Sequence, residues 1–300
     1  MEKITLDFIK NEFLNQLKSQ KNYSKKTIES YNHDINKFYL YLKDNDINSL
    51  DMIDKNVMRM YLLKQKENNI TNRTIGRYYS SLNSLFKYCI EREYIKQNPL
   101  ELIDYPKYTK KVPEFVYESK IDNLLNTSIT DNIQFDARNR LIVYLLLDSG
   151  IRLSELVNIK VNDIDFNDRS IKVFGKGSKE RYIKFGDNTR TALSAWLLDR
   201  STYFEDVETN ALFISQWRNR LTVEGVRKLM NKYADGINGK HITAHTLRKS
   251  TATNMAKAGA DLLTIASVLN HESIQTTRRY AAAIEQDKQK AINAIDDMFV

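Results

Sequence analysis

Two arginines, two histidines, a lysine and a tyrosine fall at spacings that suit chemistry on phosphorus. His245-Thr246-Leu247-Arg248 is followed by Leu269-Asn270-His271 and then Arg279-Tyr280, all downstream of Gly150-Ile151-Arg152 and Gly175-Lys176-Gly177. The set supplies two guanidiniums, an ammonium, two imidazoles and a phenol. A metal-free attack on a DNA phosphodiester requires such groups: a nucleophile, fixed cations for the charge that develops on oxygen, and an acid for the leaving group.

Each residue has a plainer reading. A lone tyrosine, one of 17, is usually a packed aromatic with a wet hydroxyl, and Arg152 can simply pair with Glu155 three residues on. His241 and His245, four apart, could share a helical face as zinc ligands, but the chain has one cysteine and an arginine beside the pair would repel a cation. The glycines around Lys176 do not make a phosphate-binding P-loop, because the order G-x-x-x-x-G-K-[ST] is absent. No metal and no cofactor are expected.

The 300 residues suffice for two ordinary domains, and the formal charge of +8 with a pI near 9.2 favours a polyanionic partner over solubility alone. No apolar run approaches the roughly 20 residues of a membrane span, and Met1-Glu2-Lys3-Ile4 lacks the apolar core of a signal peptide. Cys89 lies in an apolar helical stripe and reads as a small buried hydrophobe. These features lead to the expectation of a cytoplasmic protein without a membrane partner.

Elements must position the reactive set. All three prolines, Pro99, Pro106 and Pro113, fall in one polar stretch with Lys107, Lys110 and Lys111, which predicts a linker over 99–113 between domains at 1–98 and 114–300. Its lysines suit a solvated tether or a track along a phosphate backbone equally well. The first domain reads as all-helical, with stripes at Leu6, Ile9, Phe13 and Leu17, then Ile28, Tyr31, Ile35, Phe38 and Leu42, a shorter helix after Asp54, and Ile75, Tyr78, Leu82, Leu85 and Cys89. Arg73, Arg77, Ser80 and Ser84 line the far side of that last helix, and Lys25 and Lys26 follow the expected N-cap, Ser24. Cations at a helix start oppose its dipole, so an external anion is what they suit; a solvated polar face is the alternative. In the second domain, Ile121 to Leu125 and Arg140 to Leu147 read as helical, and helices dominate again from Ala192 onward, including Val223 to Tyr233, the segment after Ala244, Asp261 to Leu269 and Ile284 to Phe299. Short strands are expected at Asp163 to Phe166, Ser170 to Phe174 and Arg181 to Phe185, the last two joined by a lysine-bearing turn.

The run from Ala244 to Tyr280, with Gly150 to Leu156 and Gly175-Lys176-Gly177 upstream, resembles the tyrosine recombinases of the phage integrase family, nearest to compact Xer-like members. The likeness covers nearly the whole chain. It implies a mainly α fold with a small β-sheet: a two-domain C-shaped clamp, an all-helical core-binding domain plus a mixed α/β catalytic domain. By this resemblance Tyr280 is the nucleophile, whose phenol, with a pKa of about 10, needs nearby cations before it can attack. Arg152 and Arg248 clamp the non-bridging oxygens. Lys176, with Lys179 as the competing candidate, protonates the departing 5′ oxygen, provided burial beside arginines lowers its pKa. His245 relays the tyrosine proton or orients the phosphate, and His271 donates a hydrogen bond to it. Lys25, Lys26, Arg73, Arg77, Lys107, Lys110 and Lys111 are the candidate DNA-binding residues.

The pattern departs from the family at Lys249, commonly histidine, at Asn270, usually glycine, and at Ala281-Ala282-Ala283. Asparagine tolerates left-handed backbone better than most residues, so the turn before His271 should survive. The implied function is site-specific recombination through a 3′-phosphotyrosine and a Holliday junction, for integration, excision or resolution. The implied partners are duplex DNA with inverted-repeat core sites and further copies in a tetramer on two sites, with a second recombinase or accessory protein as an option. An apolar stripe at Ile284, Ala291, Ile292, Ile295, Met298 and Phe299 suits insertion into a neighbouring protomer, or packing on its own domain. No additional N-terminal arm-binding domain is expected, which favours simple sites, and the abundance of Asn, Lys and Ile suggests an AT-rich bacterial or mobile-element genome. Two other readings stay open: an architectural DNA-binding protein that has lost catalysis, and a type IB topoisomerase-like nickase.

Overall fold

Apolar side chains repeating every three or four residues give the first part of the chain its helices, and short polar side chains start them. The computed structural model describes residues 5–19, 23–106, 133–175, 179–205, 209–236, 242–270 and 277. The chain divides into two compact units, Met1–Lys110 and Lys111–Val300.

In the first unit, α1 (Leu6–Ser19) buries Ile9, Phe13 and Leu17, and α2 (Lys25–Asp44) buries Ile35, Phe38 and Leu42. The Ser24 hydroxyl accepts from the Thr27 N–H at 3.2 Å, satisfying one of the donors that a helix start leaves open. Asp54 does the same for α3 (Lys55–Glu67) through the Val57 N–H at 2.8 Å, and Thr71 caps α4 (Asn72–Glu91). Both α1 and α3 pack on α4, which also meets α2. Phe38 is central, its ring 5.0 Å from Tyr61 and 6.2 Å from Phe86. Cys89 is fully buried, as its stripe predicts.

The second unit is built around α5 (Asp136–Asp148), in which Leu141, Ile142, Val143, Leu145 and Leu146 are all buried. The helix is covered around most of its circumference, with only the edge carrying Asp136, Arg140, Tyr144 and Asp148 reaching solvent, which is why this segment shows apolarity more than period. Against it pack α7 (Asp187–Tyr203) and α9 (Ala244–Lys257). Trp196 of α7 is fully buried, and its indole N–H donates to the Leu212 carbonyl at 2.9 Å. A short α6 (Leu153–Leu156), α8 (Val223–Gly236) and α10 (Leu262–Leu269) complete the helices among the described residues.

The sheet is antiparallel, in the order β1 (Ile164–Asp165), β2 (Ser170–Phe174), β3 (Glu180–Lys184). Ile171 pairs with Ile183 and Val173 with Arg181, so those residues share the covered face. Several boundaries differ from the sequence reading: α5 begins at Asp136 where Arg140 is expected, and β3 lies one residue earlier than Arg181 to Phe185. The first strand is only two residues long because Asp163 belongs to a 3₁₀ turn, where its carboxylate accepts from the Lys160 N–H at 2.8 Å. Helix α7 begins five residues before Ala192, over a polar first turn that carries no apolar signal. The helices expected at Ile121 to Leu125 and Ile284 to Phe299 lie outside the described residues. No described helix is long and apolar enough to cross a membrane.

Phe38→Ala removes the ring on which three aromatic contacts of the first unit converge. It is expected to destabilise that unit by about 3–5 kcal/mol, read as an earlier urea transition by far-UV circular dichroism.

Candidate active site

Arg152 reaches its place through the backbone. Helix α5 ends at Ser149, and Gly150 then takes φ +55°, which turns the chain so that Arg152 becomes the N-cap residue of α6. A side chain at 150 would collide with Leu269 and crowd Arg248, so glycine is required both for its angle and for the close approach. Glu155, one turn into α6 and 2% exposed, returns to the helix start: one carboxylate oxygen accepts the Arg152 backbone N–H at 3.1 Å and the other its Nη1 at 3.0 Å. Arg152 Nη2 donates to the Asn270 carbonyl at 2.6 Å.

Arg248 sits one turn into α9, whose first turn is fixed by reciprocal bonds between Thr243 and Thr246. Its buried guanidinium donates to the carbonyls of Gly150 and Leu269. Leu269 and Asn270 end α10, and Asn270 adopts left-handed backbone with φ 48° and ψ 57°, the conformation that its tolerance for positive φ anticipates. The two arginines therefore grip adjacent carbonyls at one helix end, where the peptide dipoles favour cations.

His245 is exposed on the same helix, three residues before Arg248. With Arg152, Arg248, Glu224, Arg227 and Asn231 it lines a cleft of about 580 Å³. The structure thus brings Arg152, His245 and Arg248 to one cavity, while Lys176, His271 and Tyr280 lie outside the described residues, as does the alternative zinc ligand His241. Gly175 and Asn270, which directly precede Lys176 and His271 in the sequence, meet at the same junction. A Cβ at Gly175 would lie 3.5 Å from a Glu155 oxygen and 3.6 Å from Asn270 Nδ2. Lys179, the competing lysine, is exposed, and its carbonyl accepts from the Gly175 N–H at 2.8 Å. Among the described residues no group of three or more His, Cys, Asp or Glu is placed to hold a metal ion.

Two buried carboxylates were missed in the sequence. Glu155 was read only as a surface partner of Arg152, yet it also accepts Arg181 Nη2 at 2.7 Å. Burial alone would raise its pKa; the hydrogen bond and charge of Arg181, with the bonds from Arg152, outweigh burial and hold the carboxyl below its ordinary value of 4.5. In the first unit Asp34 is fully buried, pairs with Arg77 at 2.7 Å and accepts from Ser81 at 2.8 Å. Its signal was available, since position 34 falls in phase with Tyr31 and Phe38 on the apolar stripe of α2. Arg77, half-exposed, also donates to Ser30 at 2.6 Å, while Lys25, Lys26 and Arg73 are exposed. Lys107, Lys110 and Lys111 lie outside the described residues.

A helical unit followed by a mostly helical unit with a small antiparallel sheet, in which two arginines and a histidine share one cleft, has the form of a tyrosine recombinase. Residues 114–287 match the phage integrase family, and residues 11–93 match the phage integrase N-terminal SAM-like domain. Tyrosine recombinase XerD of Staphylococcus haemolyticus is 33% identical over 278 residues, 92% of this chain and 94% of that protein. Tyrosine recombinase XerC of Staphylococcus epidermidis is 33% identical over 288 residues, 95% and 96%. Among solved structures, XerH recombinase bound to palindromic difH substrate in a post-cleavage complex matches with TM-score 0.78 and 24% identity, over 96% of this chain and 85% of that one. A lambda integrase dimer on a COC′ core site matches with TM-score 0.73 and 18% identity, over 91% and 97%. The chain belongs to the phage integrase family, the tyrosine recombinases, which are DNA-cleaving and rejoining enzymes.

Two substitutions check this geometry. Glu155→Gln should cost about 1–3 kcal/mol at pH 7, because two guanidiniums lose their counter-charge. A depressed pKa stabilises the fold fully above the unfolded value and loses that stabilisation as pH falls through the folded one. The gap between wild type and Glu155→Gln should therefore close as pH falls below about 4.5, in urea titrations across pH. Asn270→Gly should be tolerated, whereas Asn270→Val should lose about 1–2 kcal/mol through its left-handed backbone, in the same titrations.

Proposed function

We propose that this recombinase cuts each strand with Tyr280. The phenolic oxygen bonds to phosphorus as the bond to the 5′ oxygen breaks, leaving a 3′-phosphotyrosine and, after Lys176 supplies the proton, a free 5′ hydroxyl. Arg152 and Arg248 hold the non-bridging oxygens of the pentacovalent transition state. His245 takes up the tyrosine proton or orients the phosphate, and His271 donates a hydrogen bond to it. The ester keeps the energy of the broken bond, so a 5′ hydroxyl from a partner strand reseals it without ATP. Neither a metal nor a cofactor enters the scheme.

The observation that carries this reading is the shared cleft of Arg152, His245 and Arg248, with the residues preceding Lys176 and His271 meeting beside Glu155, the carboxylate that holds Arg152. Substrates in this scheme are duplex sites with inverted-repeat cores, bound by Lys25, Lys26, Arg73, Arg77, Lys107, Lys110 and Lys111. The palindromic difH site bound by XerH supports that choice. Four copies on two sites, joined through the apolar stripe from Ile284 to Phe299, would pass through a Holliday junction.

The test is a covalent adduct on denaturing gels, with nicked suicide duplexes drawn from DNA flanking the gene. Wild type should accumulate the adduct and Tyr280→Phe should form none. An adduct that persists in Tyr280→Phe would overturn the assignment of the nucleophile.

A further inference from the structure

Arg181 is a third guanidinium at this junction, and the chemistry above leaves it unused. It lies on β3 opposite Val173, with its side chain turned to the covered face of the hairpin and 15% exposed. Its Nη2 donates to Glu155 at 2.7 Å and its Nη1 to the Val268 carbonyl near the end of α10 at 3.2 Å, while its Nε is buried with no hydrogen-bond partner among the described residues. A side chain covered in this way, with both terminal nitrogens engaged, is not built as a phosphate ligand. It joins three elements instead: the hairpin, the start of α6 and the end of α10. Gly175, the last described residue before Lys176, lies 3.5 Å by its projected Cβ from the same carboxylate.

We infer that Arg181 is a positioning residue that clamps the turn end of the β2–β3 hairpin to Glu155 and α10, and so delivers the lysine of its turn to the departing 5′ oxygen. The inference rests on the reading of Lys176 as the acid. Arg181 stands one residue pair from the turn, because Phe174–Glu180 is the last pair of the ladder, so a hairpin end released from Glu155 carries its turn with it. Proton transfer requires the donor within hydrogen-bond reach of the leaving oxygen. Loss of Arg181 should therefore impair leaving-group protonation ahead of DNA binding or phosphate activation.

The distinguishing substrate is a suicide duplex in which sulfur replaces the bridging 5′ oxygen at the position mapped by the Tyr280 adduct. A thiolate leaves without needing a proton, so the acid becomes dispensable. On the all-oxygen duplex, single-turnover cleavage by Arg181→Gln should fall by about tenfold or more, within the range for a lost general acid, and on the sulfur duplex it should return to about wild-type rate. Lys176→Ala should show the same rescue and Arg152→Ala none. Arg181→Lys, which keeps a charge for Glu155, should fall between and also be rescued, and it carries the comparison should Arg181→Gln fail to fold by circular dichroism. Equal losses on both duplexes, or no loss on either, would overturn the positioning role while rescue of Lys176→Ala left the acid in place. If Lys176→Ala is not rescued, the acid assignment fails and this inference fails with it.

Discussion

A single buried carboxylate, Glu155, holds the guanidiniums of Arg152 and Arg181 on its two oxygens, and the geometry of the cleft follows from that sharing. Two cations this close repel, and each loses solvation as the site closes around it. The carboxylate offsets both effects. It is itself costly to bury, and its pKa stays low only because burial is outweighed by hydrogen bonds from both arginines. The cluster is thus interdependent: each charge is tolerable because the others are fixed.

Arg248, buried beside this cluster, donates to carbonyls at the ends of α5 and α10. Helix C-termini carry partial negative charge and unsatisfied acceptors, so they stabilise a cation without cancelling its charge. In the first unit Arg77 shows the contrasting arrangement, with a direct ion pair to fully buried Asp34.

Amphipathic helices were the most legible part of the fold. The stripes of α1, α2 and α4 match their buried residues because one face of each is covered and the other is wet. The start of α7 was not legible, since Asp187 to Thr191 are mostly polar and the helix there is set by its packing on α5. The cleft was legible only in part. Motif order marks Arg152, His245 and Arg248, whereas Arg181 belongs to no motif and enters only as the first residue of an expected strand, in phase with buried Ile183 and Phe185. An arginine on the inward phase of a strand needs a buried acid, and Glu155 is that acid.

Holding the cations by backbone carbonyls also explains which departures from the family pattern this cleft can absorb. The groups that grip Arg152 and Arg248 at the end of α10 are the carbonyls of Asn270 and Leu269, and a carbonyl is the same whatever side chain it belongs to. What position 270 must supply is a left-handed turn, which glycine provides freely and asparagine at little cost, so asparagine where glycine is usual leaves the grip intact. Gly150 has no such freedom. Its carbonyl is likewise an acceptor for Arg248, but its missing side chain is the space into which Leu269 packs. Variation is therefore tolerated where the backbone alone does the binding, and excluded where the backbone must also let a neighbouring side chain through.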